Sequence, residues 1–284
     1  MWPPVAQVVV AVAMLVAAPA AFGASGPLSE DSFSSTALAD TVHYGLYLPS
    51  SYAHSPRKRY PVVYFLHGLP AANDTYSEIY WLGQAMQQSG RDAIVIGVEG
   101  TRDGDQYPQY LDRGPGENWE TSIAGELVSV VDKRYRTLRS RYGRAIVGAS
   151  AGGYGATSIG FHHPGEFSVI QSWSGYFRPN DVSGQNTIDL GSKKANDRAN
   201  VHALVPQLRH KLGRWWKRTH YSFYVGASDD RFRADNERLH RELSHVSLPG
   251  TKFRIYPGSH GVGLWEDHAR DWIGLATKQL RRAR

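Results

Sequence analysis

The chain has 284 residues, a formal net charge of +6 and no cysteine. Its length allows a sizeable core in one large α/β domain or two small ones, and its aromatic content is typical of a globular protein. The absence of cysteine excludes disulfides, thiolate nucleophiles and cysteine-based metal sites. The modest basic charge comes without a recognition helix or interleaved aromatic and basic residues, so we predict no nucleic-acid partner.

The N-terminus carries a long apolar segment. Residues 5–22 are almost entirely Ala, Val, Leu and Met, and small residues at 18–20 and 21–23 match signal-peptidase sites. We therefore predict a signal peptide over residues 1–24 and a secreted or cell-envelope protein. No Lys or Arg precedes the segment, and it is long enough to span a membrane, so an uncleaved anchor is the alternative.

Strands and helices alternate along most of the remaining chain. Residues 25–40 are small and polar, which is typical of a linker. The apolar patterns predict strands at 41–48, 60–66, 93–98, 144–147, 167–173, 221–225 and 252–256, and helices at 77–89, 119–135, 153–161, 234–244 and 265–280. This alternation predicts an α/β fold of the α/β-hydrolase type, with a mostly parallel, doubly wound sheet and helices on both faces.

Two segments interrupt the alternation. Residues 99–117 are rich in Gly, Asp and Pro and predict a long surface loop. Residues 175–220 are polar at first and then helical, and we interpret them as a cap-like excursion over the active site. Residues 41–284 are thus predicted to form a single domain, and these two segments are predicted to choose its substrate.

The strand at 144–147 leads into Gly148-Ala-Ser-Ala-Gly152 and then into a helix. This is the context of a G-x-S-x-G nucleophile elbow, in which the turn is so tight that side chains two residues before and after the serine would clash. Gly148 and Gly152 remove that clash, and Ser150 is left exposed in a strained conformation. Ser150 is therefore the predicted nucleophile.

A serine hydroxyl needs a base to take its proton and an acid to hold that base. Asp229 follows the strand at 221–225, and His260 follows the strand at 252–256, in the order acid and then histidine. Asp229 could instead cap the next helix, with Asp230 as the acid. Among the other histidines, His162 and His163 lie near a helix end and His268 lies within the last helix, so none of them follows a strand.

The reaction also needs N–H donors for a developing oxyanion. One is predicted from Ala151, directly after the nucleophile, and the second from Leu69, in the loop that follows an earlier strand. His67 and Gly68 would shape that loop, although a His-Gly pair can be merely a turn that ends a strand.

Several motifs together resemble a known family. They are Tyr64-Phe-Leu-His-Gly-Leu-Pro70, Gly148-Ala-Ser-Ala-Gly-Gly153, His163-Pro164, Ser172-Trp-Ser-Gly175, Gly226-Ala-Ser-Asp229 and Tyr256-Pro-Gly-Ser-His260. Their order resembles the esterase D-like family of α/β hydrolases, which includes feruloyl esterases, S-formylglutathione hydrolases and mycobacterial mycolyltransferases. The resemblance covers residues 40–280 and implies ester hydrolysis or acyl transfer by Ser150, His260 and Asp229.

Other features bear on substrate and cofactor. Residues 118–121 resemble the segment that opens a helix in the mycolyltransferases. Asp103, Asp105 and Asp112 resemble a calcium loop only weakly, so we predict no metal and no cofactor. Trp215 and Trp216 could line an acyl or aromatic pocket or simply pack a helix.

These observations predict a secreted serine carboxylic-ester hydrolase that forms an acyl-enzyme from a small-molecule or glycan-linked ester. One alternative is an acyltransferase that moves the acyl group to a sugar hydroxyl. Another, of a different class, is a catalytically inactive surface-binding protein of the cell envelope.

Overall fold

The computed structural model describes residues 28–280, apart from residues 78, 106, 182, 183 and 185. The predicted signal peptide or anchor at residues 1–24 lies outside the described residues. Within the described part of the chain, no helix combines the length and apolar character that crossing a membrane requires.

One sheet of eight strands organises the described residues, in the order β1-β2-β4-β3-β5-β6-β7-β8. The strands are β1 (Leu28–Ser35), β2 (Asp40–Tyr47), β3 (Val62–Leu66), β4 (Ile94–Val98), β5 (Arg144–Ala149), β6 (Val169–Trp173), β7 (His220–Gly226) and β8 (Lys252–Tyr256). The pairs β1–β2 and β2–β4 are antiparallel, and every other neighbouring pair is parallel.

Helices connect the strands and cover the sheet. They are α1 (Ser51–His54), α2 (Tyr80–Gln88), α3 (Trp119–Thr121), α4 (Val128–Arg134), α5 (Ala151–His162), α6 (Lys193–Ala199), α7 (Val201–Leu204), α8 (Leu208–Leu212), α9 (Arg233–Val246) and α10 (Val262–Gln279). A π-helical segment, Ser122–Leu127, joins α3 to α4, and 3-10 turns form at Thr75–Ser77, Arg141–Gly143, Val205–Gln207 and Gly213–Arg218.

The sheet separates two hydrophobic cores. Successive side chains of a strand point to opposite faces, so Val62, Tyr64 and Leu66 of β3 enter one core while Val63 and Phe65 enter the other. The first core also contains residues of α4, α5, α8 and α9, and the second contains residues of α2 and α10. Burial on both faces explains why the central strands read as continuous apolar runs. The α/β-hydrolase fold predicted from the sequence is confirmed.

The predicted linker at residues 25–40 is wrong over Leu28–Ser35, which forms β1 at one edge of the sheet. Its backbone pairs with β2 in antiparallel register, whereas Phe33 is its one buried large apolar side chain. Backbone hydrogen bonds to β2 hold this edge strand and do not depend on its side chains. The strand can therefore form without the alternation of apolar and polar residues by which strands are recognised in a sequence.

The excursion at 175–220 packs against the helical layer. Tyr154 of α5 donates a hydrogen bond of 2.7 Å to the carbonyl of Ala199 at the end of α6. His202 of α7 lies between two carboxylates of α9, with Nε2 2.9 Å from Asp235 Oδ1 and Nδ1 2.6 Å from Glu242 Oε2. These contacts fix the excursion to α5 and α9, beside the sheet.

Candidate active site

The elbow joins β5 to α5. Ser150 has φ +54° and ψ −119°, a backbone conformation that residues other than glycine rarely adopt. A Cβ on Gly148 would lie 2.2 Å from the carbonyl oxygen of Gly152, and a Cβ on Gly152 would lie 1.9 Å from that of Leu66. A side chain at either position would collide with backbone, so both positions require glycine.

The structure brings Ser150, His260 and Asp229 together. His260 Nε2 lies 2.9 Å from Ser150 Oγ, and His260 Nδ1 lies 2.8 Å from Asp229 Oδ2. Because a carboxylate only accepts, the imidazole proton belongs on Nδ1, which leaves Nε2 free to accept the serine proton. The three side chains follow β5, β8 and β7, whose carboxyl ends meet at one edge of the parallel sheet.

Asp229 makes both of the contacts that the sequence left open, one with His260 and one at the start of the next helix. It is 1% exposed, and while Oδ2 contacts the imidazole, Oδ1 accepts a hydrogen bond of 3.1 Å from the Phe232 N–H, directly before α9. Asp230 is exposed to solvent. The carboxylate on the histidine is thus that of Asp229.

The other histidines considered lie elsewhere. His162 and His163, at the end of α5, lie 3.2 Å and 2.8 Å from the buried carboxylate of Glu120. His268 is half-buried, and its ring stacks on Tyr256 at a centroid distance of 3.7 Å.

Two aromatic rings that the sequence did not single out hold the imidazole of His260. Phe232 and Trp265 contact it in T-shaped arrangements at centroid distances of 5.1 Å and 5.4 Å. Both follow predicted site residues closely, Phe232 three positions after Asp229 and Trp265 five after His260. That proximity is the only signal by which they could have been found.

The predicted oxyanion loop lies directly beside the serine. A Cβ on Gly68 would be 3.3 Å from Ser150 Cβ, and Leu69 lines the same cavity. Ala151 is the first residue of α5, where backbone N–H groups have no helical acceptor and favour negative charge. The two predicted donors therefore belong to segments on either side of Ser150 Oγ.

His67 and Tyr110 support this loop. His67 is buried, and burial lowers its pKa to about 4, so its imidazole is neutral near pH 7. Its Nδ1 lies 2.8 Å from the Gly68 carbonyl oxygen, and the Tyr110 hydroxyl donates a 2.6 Å hydrogen bond to the His67 carbonyl oxygen. Tyr110 was not identified from the sequence.

A cavity of about 630 Å³ opens over Ser150 and His260. Much of its wall is apolar and aromatic, formed by Phe65, Leu69, Tyr76, Ile79, Tyr80, Trp81, Val262 and Trp265. Polar side chains occupy another part of the wall, namely Gln109, Tyr176, Asp181, Arg231 and Glu266. The site can thus hold an ester with an apolar portion beside a nucleophilic serine.

The predicted substrate-choosing segments contribute little to this wall. Among the described residues, Gln109 lines the cavity from residues 99–117, and Tyr176 and Asp181 line it from residues 175–220. Among the described residues, the helices of the excursion do not line the cavity, whereas its first residues do. Trp215 instead packs between the guanidinium groups of Arg141 and Arg214, at 4.6 Å and 4.5 Å. The apolar wall comes mainly from residues 65–81 and 262–265.

In the weak calcium-loop pattern, the carboxylates of Asp105 and Asp112 contact other side chains of the protein. The carboxylate of Asp105 lies 3.3 Å from Arg102, and Asp112 accepts a 2.6 Å hydrogen bond from the Thr121 hydroxyl. Over residues 28–280, excluding those not described, no group of histidine and carboxylate side chains is arranged to hold a metal ion.

Comparison with known proteins decides the family. Residues 35–281 match the family model described as "Putative esterase". The chain belongs to this esterase family. That membership agrees with the family resemblance seen in the sequence.

Two curated relatives each match about half of the chain. Esterase Rv1288 of Mycobacterium tuberculosis is 31% identical over 144 residues, which cover 50% of this chain and 31% of the relative. Diacylglycerol acyltransferase/mycolyltransferase Ag85A of Mycobacterium leprae is 28% identical over 153 residues, covering 48% of this chain and 44% of the relative. The matched regions thus span less than half of either relative.

Solved structures extend the likeness over nearly the whole esterase. A ferulic acid esterase superposes with a TM-score of 0.74 and 22% identity, covering 89% of this chain and 97% of the other. At this identity the match shows the shared fold.

Proposed function

We propose that this protein is a secreted serine hydrolase that cleaves carboxylic esters through an acyl-enzyme on Ser150. The observation that carries the proposal is the unbroken hydrogen-bond chain from Ser150 Oγ through His260 to Asp229. Its substrate would be a small-molecule or glycan-linked ester, whose acyl group fits the apolar wall of the cavity.

In the acylation step, Ser150 Oγ attacks the ester carbonyl carbon while His260 Nε2 takes the hydroxyl proton. The negative charge on the carbonyl oxygen is held by the N–H groups of Leu69 and Ala151, and Asp229 stabilises the imidazolium. Collapse of the tetrahedral intermediate breaks the ester C–O bond, and His260 returns the proton to the departing alcohol.

In the deacylation step, His260 removes a proton from water as the water attacks the acyl-Ser150 carbonyl. Collapse of the second tetrahedral intermediate frees the carboxylic acid and restores the Ser150 hydroxyl. No step uses a cofactor or a metal.

Hydrolysis of short-chain p-nitrophenyl esters by wild-type protein and the Ser150→Ala variant tests the proposal. Ser174→Ala is a matched control, because Ser174 is buried, has φ +50° and follows the neighbouring strand β6. We expect Ser150→Ala to lose at least 1000-fold in kcat and Ser174→Ala to stay active. Equal activity of wild type and Ser150→Ala would overturn the proposal.

An acyltransferase is a second candidate, favoured by the similarity to the diacylglycerol acyltransferase/mycolyltransferase of Mycobacterium leprae. A sugar hydroxyl would then replace water in deacylation. Adding trehalose or another polyol to the ester assay, with mass spectrometry of the products, separates the two activities. Undiminished hydrolysis without an acylated sugar would eliminate the transferase.

A surface-binding protein that has lost catalysis is the alternative outside enzymology. The closed contacts among Ser150, His260 and Asp229 favour catalysis over it. A fluorophosphonate that labels wild type and not Ser150→Ala would exclude an inactive site, whereas unlabelled wild type would support it.

Secretion is proposed from the apolar N-terminal segment at residues 5–22. Fractionation of the producing cells and N-terminal sequencing of the mature chain would test it. A mature start between residues 21 and 25 supports cleavage, and an intact N-terminus in the membrane fraction supports an anchor.

A further inference from the structure

Two consecutive peptide groups in the loop after β3 each have their carbonyl held by a side-chain donor. The His67–Gly68 peptide accepts from the Tyr110 hydroxyl at 2.6 Å, and the Gly68–Leu69 peptide accepts from His67 Nδ1 at 2.8 Å. A carbonyl oxygen only accepts, so His67 must carry its proton on Nδ1. The two bonds form a relay from Tyr110 through His67 to the loop.

The second of these peptides is the one that contains the Leu69 N–H. In a trans peptide the C=O and the N–H point in opposite directions within one plane. Holding the Gly68 oxygen therefore fixes the direction of the Leu69 N–H. Without the bond, the Gly68–Leu69 peptide could rotate and turn its N–H away from the oxyanion. Gly68 would allow this rotation, because glycine restricts its own backbone dihedral angles less than any other residue does.

Tyr110 is itself held tightly. It is 1% exposed, and a Cβ added to Gly100 or Gly155 would lie only 2.3 Å or 2.6 Å from its ring. Gly100 comes two residues after the end of β4, and Gly155 belongs to α5, the helix that follows Ser150. The ring is thus wedged between the elbow helix and the end of β4, and its hydroxyl has a defined position.

We propose that Tyr110 and His67 are positioning residues that hold the Leu69 N–H toward the oxyanion through this two-bond relay. The inference rests on the proposed function, since it requires Ser150 to generate an oxyanion. Residues 99–117 would then act on catalysis by supporting the oxyanion loop, and not chiefly by contacting substrate.

Tyr110→Phe removes the hydroxyl and keeps the ring. Tyr154→Phe is the matched control, because Tyr154 is equally buried and its hydroxyl also donates to a backbone carbonyl, that of Ala199, at 2.7 Å. We expect Tyr110→Phe to lower kcat about 10-fold, a fraction of the loss on deleting a whole oxyanion donor. KM should stay within about 2-fold, because uniform binding is untouched. Tyr154→Phe should keep the wild-type kcat.

A second measurement reads the oxyanion directly. A trifluoromethyl ketone forms a hemiketal on an active-site serine and places its oxyanion between the same donors. Its affinity should fall in Tyr110→Phe by the same factor as kcat/KM, whereas Tyr154→Phe should bind it like wild type. A purely structural role would lower the melting temperature of both variants without separating these affinities.

The His67 bond is tested by His67→Ala and His67→Asn. Alanine removes the donor, and we expect kcat to fall about 30-fold. Asparagine places an amide N–H near the position of Nδ1, so it should recover part of that activity. This pair also tests the relay if Tyr110→Phe does not fold.

The outcomes distinguish the relay from the proposed function. If wild type hydrolyses esters and Tyr110→Phe matches Tyr154→Phe in both kcat and inhibitor affinity, the relay is overturned and the esterase stands. If His67→Asn recovers nothing over His67→Ala, the step through His67 fails. An inactive wild type that fluorophosphonate does not label rejects the proposed function itself.

Discussion

Ser150 illustrates how backbone strain serves a reactive side chain. Its left-handed conformation ends β5 and begins α5 within one residue, and the neighbouring glycines leave room for the turn. Strain of this kind costs on the order of 1–3 kcal/mol and persists only where the surrounding structure enforces it. The elbow is buried and packs against β3, and this packing holds Ser150 in the strained conformation.

The first prediction at this scale concerns Gly152. Gly152→Ala places a methyl group 1.9 Å from the Leu66 carbonyl oxygen, so β3 and α5 must separate. We expect a loss of at least about 3 kcal/mol in the free energy of unfolding, from overpacking in a rigid backbone setting. Urea denaturation followed by circular dichroism measures it. Gly125→Ala is the control, since its Cβ would meet nothing within 4 Å, and equal stability of the two variants would contradict the clash.

The second prediction separates the two adjacent aspartates. Asp229→Asn substitutes an amide that can donate to His260 Nδ1, which moves the imidazole proton to Nε2 and leaves no acceptor for the serine proton. We expect kcat to fall by about 10⁴. Asp230→Asn should stay within about 2-fold of wild type, because exposed charges interact weakly with the site. Steady-state kinetics on a p-nitrophenyl ester compares them, and similar losses would refute the assignment of Asp229.

At the scale of elements, β1 depends on a carboxylate from a segment far away in the chain. Glu126 Oε1 accepts hydrogen bonds of 3.0 Å and 3.1 Å from the N–H groups of Thr36 and Ala37, and Oε2 accepts one of 2.5 Å from the Ser35 hydroxyl. These donors lie where β1 turns toward β2. One side chain of the π-helical segment thus anchors the edge hairpin.

The prediction for this element is Glu126→Gln. The neutral amide has one acceptor oxygen, so part of this charge-assisted set is lost and an NH₂ group faces backbone donors. We expect a loss of about 1–3 kcal/mol in the free energy of unfolding. Hydrogen exchange should show faster opening of β1 than of β5, while Glu117→Gln, on an exposed side chain, serves as the reference. Unchanged protection of β1 would show that the hairpin does not need this anchor.

At the scale of the whole molecule, the parallel sheet assembles the site from distant segments. Loops after β3, β5, β7 and β8 supply the Leu69 N–H, Ser150, Asp229 and His260, and all four strands end at the same edge. A further acidic residue, Glu99, directly follows β4 at that edge and is 4% exposed. Burial raises its pKa to about 7, although its carboxylate accepts a 2.7 Å hydrogen bond from the His43 N–H.

The prediction at this scale is a pH dependence that Glu99 imposes on stability. Because its pKa is raised above the unfolded value of 4.5, the fold favours the protonated form. The contribution of the Glu99 carboxyl to the free energy of unfolding is fully present below pH 4.5 and is lost as the pH rises through about 7. The melting temperature of wild type should therefore fall relative to Glu99→Gln between pH 5 and pH 8, because glutamine stays neutral. A difference between the two proteins that is constant over this range would disprove the titration.

Glu120 shows how packing between distant segments can bury a charged residue. Acidic residues are mostly exposed in folded proteins, yet Glu120 is 1% exposed. Burial alone would raise its pKa, but the nearby His162 imidazole and the hydrogen bonds with His163 and Arg198 outweigh burial and lower the pKa to about 2. These partners lie at the end of α5 and in α6. The burial of Glu120 therefore depends on packing between segments that are far apart in the chain.

Amino-acid sequence by itself determined the buried strands, the elbow with its glycines and the order of serine, acid and histidine. Each of these depends on neighbouring residues: apolar runs bury a strand, and two glycines permit one turn. Only the tertiary structure decided that Leu28–Ser35 is an edge strand, that the helical excursion lies beside α5 and α9, and that Tyr110 reaches the His67 carbonyl. The physical reason is that these features rest on hydrogen bonds and packing between segments far apart in the chain, which no local periodicity records.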